Sequence, residues 1–201
     1  MRKLFLSLAV LALVASPAFA GRYNKAISVG DKAPAFESIP ATTKAGNDLK
    51  LTLNDLKDQV VVVVFLANHC PVVQAYEDRL IDFVNDYKDK NVKVVGICVN
   101  DLDSDRLPQI KNYMKEKGSN YVYGYDESQA IGHAYGATNT PQFFVLDKDR
   151  TIRYMGQMDD SQNEARVTKK YLRDAVDAVL RGDSPEISET QPRGCSVKYT
   201  K

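Results

Sequence analysis

The stretch VVVVVFLANHCP, residues 60–71, contains the clearest strand-to-helix pattern in the chain. Residues 60–66 form a β-branched, apolar run with no polar break, which is typical of a central strand buried on both faces. From Pro71 onward, apolar residues recur three and four positions apart, which predicts an amphipathic helix. The apolar positions of this helix are Val73, Tyr76, Leu80, Phe83 and Tyr87. The sequence therefore predicts a central strand that leads directly into a long helix, with Cys70 at the junction.

Cys70 falls at or beside the N-cap of the predicted helix, because proline is favoured at the first helical position. A helix N-terminus carries about half a positive charge and free backbone amides, and both stabilise a thiolate. His69 adds to this effect if it is protonated and turned toward the sulfur. The alternative is an unreactive cysteine in the core, which is the common fate of free cysteine. The carboxyl end of a central strand is where α/β sheets place their sites, so the position favours a reactive thiol.

Strand and helix patterns alternate along the rest of the chain. They are predicted over residues 91–99 (strand), 105–117 (helix), 121–123 (strand), 127–135 (helix), 141–156 (two strands joined as a hairpin) and 163–180 (helix). Such alternation predicts an α/β fold with a central mixed sheet flanked by helices.

The two ends of the chain differ in composition from the middle. Residues 1–20 contain Arg2 and Lys3, then an apolar stretch, then small residues before Ala20, which together predict a signal peptide cleaved after Ala20. The apolar stretch is shorter than the roughly 20 residues that span a bilayer. We therefore expect an exported protein, periplasmic or secreted, that is not membrane-bound after cleavage. Residues 183–201 contain few apolar side chains and predict a flexible tail, which leaves 21–182 as the domain.

Charge and cysteine content exclude several classes of protein. The chain has 27 Lys and Arg against 26 Asp and Glu, and removal of Arg2 and Lys3 leaves 25 against 26. This balance argues against nucleic acid or an anionic membrane as the main partner. Three cysteines are too few for a disulfide scaffold, and an odd count leaves at least one unpaired within the chain. Cys98, in the apolar stretch VVGICVN, is predicted to be a core residue.

Three motifs together resemble the thioredoxin-like redoxins of the alkyl hydroperoxide reductase and thiol-specific antioxidant family. They are VGDKAPAF at 29–36, FLANHCP at 65–71 and GATNTPQFFVLDKD at 136–149. The resemblance extends over about residues 28–180 and is nearest to a peroxiredoxin-like branch with an NHCP site and a GCSVK tail, here at 194–198. It implies a thioredoxin-like fold in which Pro141 is a cis proline that faces Cys70. It also implies that the Thr140 backbone binds an extended thiol or peptide substrate.

The chain departs from the patterns of two related classes. A thioredoxin-type site has a second cysteine three residues after the first, and that position is Val73 here. A typical peroxiredoxin has proline and threonine seven and three residues before its reactive cysteine, and these positions hold Val63 and Ala67. Because the threonine helps to hold the peroxide, the resemblance does not by itself imply peroxidase activity.

Other polar residues are candidates for the missing contacts. Asn68 and His69 precede Cys70 directly, and we expect them to contact the substrate. Arg150 and Arg153 are the candidates for the family's active-site guanidinium. Asn100 follows the second buried strand at the same edge of the sheet, where it is either a turn residue or part of the site.

Cys195 lies in the predicted tail, so it is able to reach Cys70 without being required to. One hypothesis is that Cys195 is a resolving cysteine, which condenses with Cys70 after Cys70 is oxidised to a sulfenic acid. The disulfide then forms within one chain or between two chains. A free surface thiol and a static disulfide are the alternatives.

Three functional hypotheses follow from these residues. The favoured one is a redox enzyme without cofactor or metal, in which Cys70 attacks a peroxide or a disulfide and is resolved by Cys195 or by an external thiol reductant. The second is a binding protein, either a Cu(I) carrier that uses Cys70, His69 and Cys195 or a redoxin fold that presents Thr140 and Pro141 to a peptide. The third is a structural redoxin whose static Cys70–Cys195 disulfide fastens the tail. The sequence leaves the oligomeric state open.

Overall fold

The computed structural model describes residues 21–200, and the predicted signal peptide lies outside this range. The strands are β1 (Ile39–Thr42), β2 (Asp48–Leu51), β3 (Val60–Phe65), β4 (Val92–Cys98), β5 (Val122–Tyr125), β6 (Asn139–Thr140), β7 (Gln142–Leu146), β8 (Ile152–Gly156) and β9 (Cys195–Ser196). The helices are α1 (Pro71–Tyr87), α2 (Leu107–Lys117), α3 (Ala130–Tyr135) and α4 (Tyr171–Leu180). No helix in this part of the chain is long and apolar enough to cross a membrane.

Seven of the strands form one sheet in the order β2-β1-β5-β4-β3-β7-β8. The β3, β4 and β5 strands are parallel, whereas β7 and β8 are antiparallel on one side and β1 and β2 on the other. The predicted mixed sheet with flanking helices is therefore confirmed. Since Phe65 pairs with Gln142, the end of β3 lies beside the start of β7.

Both faces of β3 are covered, as its unbroken apolar sequence predicts. All six of its side chains are fully buried. Alternate side chains beginning with Val60 pack against α1, α2 and α4, and those beginning with Val61 pack against α3 and the segment before β1. Burial of each valine stabilises the fold by about 1.5–3 kcal/mol, so β3 is firmly held and positions the segment with Cys70 that follows it.

The last helix is shorter than predicted. It begins at Tyr171 rather than at residue 163, because the preceding segment folds around Asp160 instead. The Asp160 carboxylate accepts hydrogen bonds from the backbone amides of Thr168 and Lys169, at 2.9 and 3.1 Å. Aspartate competes for backbone donors in this way outside helices, and an apolar periodicity does not reveal it.

Residues 183–200 are held along the domain, in contrast to the flexible tail that their composition predicts. The Thr190 amide donates to the Met155 carbonyl at 3.0 Å, β9 pairs with β6, and Val197 is buried. The prediction of a loosely held extension is therefore corrected for these residues. The prediction of a flexible tail rests on the small number of apolar side chains in this segment, but the segment is held largely by backbone hydrogen bonds, which do not depend on apolar side chains.

Candidate active site

Cys70 is the N-cap residue of α1, as the sequence predicts. Its backbone is extended, Pro71 occupies the first turn, and the Cys70 carbonyl accepts a hydrogen bond from the Gln74 amide at 3.1 Å. The amide of Val73, in the open first turn of the helix, lowers the pKa of the Cys70 thiol. The local sequence thus places a cysteine sulfur where backbone N–H groups stabilise an anion.

The second component of the site is the loop that leads into β7. The Thr140–Pro141 peptide bond is cis, as the family resemblance implies. In its thiol form Cys70 donates a hydrogen bond from Sγ to the Thr140 carbonyl, with a sulfur–oxygen distance of 3.2 Å. Thr140 and Pro141 are both buried, so this contact is shielded from solvent.

Cys195 is the third component. It lies in β9 directly opposite Thr140 in the antiparallel pairing with β6, and its side chain packs against the same apolar cluster as Cys70. The cysteines are not joined by a disulfide. Each thiol nevertheless shifts the pKa of the other.

The two thiols have opposite acid–base character. Burial raises the pKa of Cys70, but the Cys195 thiol and the backbone amides of Val73 and Cys195 bring this pKa below that of an ordinary thiol. Burial, and then the hydrogen bond and charge of Cys70, raise the pKa of Cys195. Of the two, Cys70 therefore ionises more readily and Cys195 keeps its proton to higher pH, which suits a nucleophile and a second, resolving thiol.

A buried carboxylate that the sequence reasoning did not place in the site supports the residue next to Cys70. Asp105 is fully buried and accepts hydrogen bonds from the His69 amide at 3.2 Å, from His69 Nδ1 at 2.6 Å and from Asn100 Nδ2 at 2.8 Å. Asn100 in turn accepts a hydrogen bond from the Lys198 amide at 2.7 Å. The signal available in the sequence was the polar run NDLDSD, which directly follows β4 at the same sheet edge.

The predicted substrate contacts of Asn68 and His69 stay predictions. The Asn68 side chain is buried and donates to the Ser104 carbonyl at 3.0 Å, so its amide fastens the loop before α2. The His69 side chain is part-exposed, and its Nδ1 is engaged by Asp105. Both residues therefore brace the loop that contains Cys70.

Arg150 and Arg153 do not reach the site. The Arg150 guanidinium binds the carbonyls of Leu56 and Asp58, which precede β3, whereas Cys70 follows the opposite end of that strand. The Arg153 guanidinium contacts Asp147 in the same hairpin. The expectation that either arginine supplies an active-site guanidinium is therefore corrected. Arg150 lies in the β7–β8 turn and Arg153 at the start of β8, and spacing alone does not show at which end of the sheet that turn lies.

A mixed sheet with a thiolate-stabilising cysteine at the start of α1, facing a cis proline, defines a thioredoxin-like redox protein. A protein-family model described as Redoxin matches residues 28–172, and the chain belongs to this family. The predicted thiol-dependent oxidoreductase is confirmed at the level of the family. The finer likeness to peroxiredoxins stays a prediction.

Individual relatives agree with this family and fold. The chain is 25% identical over 145 residues to the thiol-disulfide oxidoreductase ResA of Bacillus thuringiensis, which covers 71% of this chain and 79% of that protein. It is 35% identical, with a TM-score of 0.76, to an uncharacterized conserved protein from Geobacillus kaustophilus, over 86% of this chain and 92% of that chain. The thioredoxin domain of a thiol-disulfide oxidoreductase from Bacteroides vulgatus has the same fold, at 22% identity and a TM-score of 0.52 over 63% of this chain and 86% of that chain.

Proposed function

We propose that the protein is a thiol-disulfide oxidoreductase in which Cys70 is the nucleophile and Cys195 the resolving cysteine of the same chain. The observation that carries this proposal is the pairing of β9 with β6, which sets Cys195 opposite Thr140, whose carbonyl accepts the hydrogen bond of Cys70. The lowered pKa of Cys70 and the raised pKa of Cys195 agree with it. Attack by a thiolate requires the deprotonated sulfur, and the partner thiol must stay protonated until the first exchange is complete.

The reaction transfers two electrons in two exchange steps. First, the Cys70 thiolate attacks one sulfur of a substrate disulfide, so that a mixed disulfide forms and one substrate thiolate leaves. The thiolate of Cys195 then attacks the Cys70 sulfur, which gives the Cys70–Cys195 disulfide and releases the second substrate thiolate. The substrate gains two electrons and the protein loses two. A dithiol reductant restores the protein by the reverse pair of exchanges.

The proposed second cysteine, Cys195, lies far from Cys70 in the sequence, whereas in a thioredoxin-type site it lies three residues after the first. Val73 holds the position of the usual second cysteine, and its side chain is buried. Its amide still acts on the sulfur of Cys70, so the helix contributes to the stability of the thiolate but not to its resolution. Resolution then depends on the pairing of β9 with β6.

A disulfide substrate fits the surroundings of Cys70 better than a peroxide does. Val63 and Ala67, which occupy the positions of a peroxiredoxin's proline and threonine, are fully buried and carry no polar side-chain group. The guanidinium groups of Arg150 and Arg153 are bound at the far end of β3. Peroxide reduction through a Cys70 sulfenic acid is the second candidate, favoured by the nearby Cys195 that would resolve it.

The setting we propose is outside the cytoplasm. The amino-terminal sequence has the three parts of a signal peptide, and an exported thiol protein meets disulfide-containing substrates there. The reductant would be a dithiol of that compartment, because the reverse pair of exchanges uses two thiol groups.

The test is to treat the reduced full-length protein with a low-molecular-weight disulfide or with hydrogen peroxide and to map its cysteines by mass spectrometry. We expect two substrate thiols to be released per chain and one Cys70–Cys195 disulfide to form, faster with the disulfide than with the peroxide. Reduction of this bond by a dithiol should restore the starting material through repeated cycles. A Cys70 that stays unmodified while Cys98 reacts would contradict the proposal. A Cys70–Cys195 disulfide that no dithiol reduces would support the structural redoxin with a static disulfide instead.

A further inference from the structure

The tail strand β9 lies on the backbone edge beside the Cys70 sulfur. It pairs with β6 so that Cys195 is opposite Thr140, and the Val197 amide donates to the Thr138 carbonyl at 3.0 Å. On the other side of Cys195, Asn139 Nδ2 donates to the Gly194 carbonyl at 3.0 Å. An extended polypeptide that brought its own cysteine to Cys70 through this edge would need these same backbone groups.

Gly194 allows the tail to approach this edge closely. A Cβ atom at this position would lie 2.1 Å from the Thr140 carbonyl oxygen, and the φ angle of 147° is one that only glycine adopts readily. Two residues beyond Cys195, Val197 is buried in the apolar cluster on the α3 face of the sheet. The strand β9 is therefore packed closely against its neighbours both before and after Cys195.

The residues that follow β9 are anchored to separate loops. The Lys198 amide donates to Asn100 Oδ1 at 2.7 Å, and the Lys198 carbonyl accepts from the Asp101 amide and from Gln129 Nε2, both at 3.0 Å. The Tyr199 hydroxyl donates to the Ala137 carbonyl at 2.8 Å. A competing strand would have to displace all these contacts together, because they belong to one continuous segment.

Cys70 has no solvent-exposed surface while the tail is in place. The groups that cover the sulfur differ in how firmly they are held. The Cys195 side chain is part-exposed, whereas the backbone around it is fixed by the contacts above. A polypeptide strand that used the β6 edge would have to displace the backbone of β9, whereas a small molecule does not need these backbone groups.

We propose that the tail segment 194–200 makes the protein selective for low-molecular-weight disulfides over disulfides within extended polypeptides. This inference rests on the proposed function, since it concerns the first exchange at Cys70. In that step the Cys70 thiolate forms a mixed disulfide with one sulfur of the small substrate, and the other sulfur leaves as a thiolate. The tail keeps β6 paired throughout, so Cys195 returns to attack the mixed disulfide without a strand having to dock again.

The experiment compares two probes that release the same chromophore from the reduced full-length protein. One is dipyridyl disulfide, and the other is a peptide that copies residues 192–198 with its cysteine as a pyridylthio mixed disulfide. We expect the wild-type protein to react at least about tenfold faster with the small probe, which corresponds to about 1.4 kcal/mol.

A buried and an exposed position of the tail provide the matched variants. Val197→Asp should release the strand and raise the peptide rate about tenfold, because it removes the burial of one valine side chain. Ser196→Asp adds the same charge at the neighbouring exposed position and should leave both rates within about twofold of wild type. Gly194→Ala is a second way to release the strand, through the contact with the Thr140 carbonyl.

Hydrogen exchange at the Val197 amide shows directly whether a variant has released the tail. Equal rates for the two probes in the wild-type protein would overturn the inference. So would an unchanged rate ratio in a variant whose Val197 amide has lost its protection. If Cys70→Ser still releases the chromophore from dipyridyl disulfide at the wild-type rate, the proposed function fails instead, so the two failures are distinguishable.

Discussion

Cys70 and Cys98 lie near the same edge of the sheet, after β3 and at the end of β4, and both are fully buried. Burial raises the pKa of Cys98, the charge of Asp105 raises it further, and only the Asn100 amide opposes them. For Cys70 the same effect of burial is outweighed by the Cys195 thiol and by the backbone amides of Val73 and Cys195. The comparison shows that burial does not by itself decide whether a thiol is reactive; the number of donors directed at the sulfur does.

The largest expected effect is the loss of the nucleophile. In a Cys195→Ser background, Cys70→Ser should reduce the rate of chromophore release from a small disulfide by at least about a thousandfold, because serine is not ionised at this position and the remaining thiol, Cys98, is fully buried. Stopped-flow absorbance measures the rate. Cys98→Ser is the matched control, and a comparable loss in that variant would mean that the distinction between the two buried thiols is mistaken.

Cys195→Ser should separate the two exchange steps. The first thiol should still be released, whereas release of the second should slow by about a hundredfold or more, because attack within the chain is replaced by attack from solution. Mass spectrometry should find the substrate thiol attached to Cys70. Release of both thiols at the wild-type rate would show that Cys195 is not the resolving cysteine.

The lowered pKa of Cys70 predicts how its reactivity depends on pH. The rate should rise with pH through a midpoint below the pKa of free cysteine, and thiolate absorbance in the ultraviolet should follow the same curve. Because the folded pKa lies below the unfolded one, ionisation of Cys70 stabilises the reduced fold above the unfolded pKa, and this contribution is lost as the pH falls through the folded pKa.

Cys98 should show the opposite sign in the same measurement. Its pKa is raised in the fold, so its buried neutral thiol contributes stability below the unfolded pKa, and this contribution is lost as the pH rises.

A Cys70→Ala variant, compared with wild type by chemical unfolding at several pH values, isolates the contribution of Cys70 to the pH dependence of stability. If the pH dependence of the Cys70 rate had its midpoint at or above the pKa of free cysteine, Cys70 would not be the more reactive of the two thiols for the reason given.

The smallest expected effect concerns stability. Cys98→Ala should lower the free energy of unfolding by about 1 kcal/mol, since a buried sulfur is removed from a packed sheet and leaves a small cavity. The rate of the first exchange at Cys70 should stay close to wild type. Denaturant unfolding and the small-disulfide assay on the same preparation check both statements. A large loss of activity would instead give Cys98 a part in the site.

Much of the fold could be predicted from local patterns. The buried run of β3, the periodicity of α1 and the alternation of strands and helices are carried by residues close together in the sequence, and each has a repeat that differs between strand and helix. The start of α4 and the packed course of residues 183–200 could not be predicted in this way. Both depend on hydrogen bonds to backbone groups, such as those of Asp160 and Thr190, that leave no apolar pattern.

The sequence by itself determined that Cys70 caps a helix at the end of a buried strand, because a proline, an apolar run and a helical repeat are all local features. The surroundings of the sulfur depend on the tertiary fold. The β6–β9 pairing that brings Cys195 to the site, the Thr140 contact and the support of His69 by Asp105 join segments that are distant in the chain. Such contacts are set by how strands pair and loops meet, and their geometry is what separates a reactive thiol from a buried one.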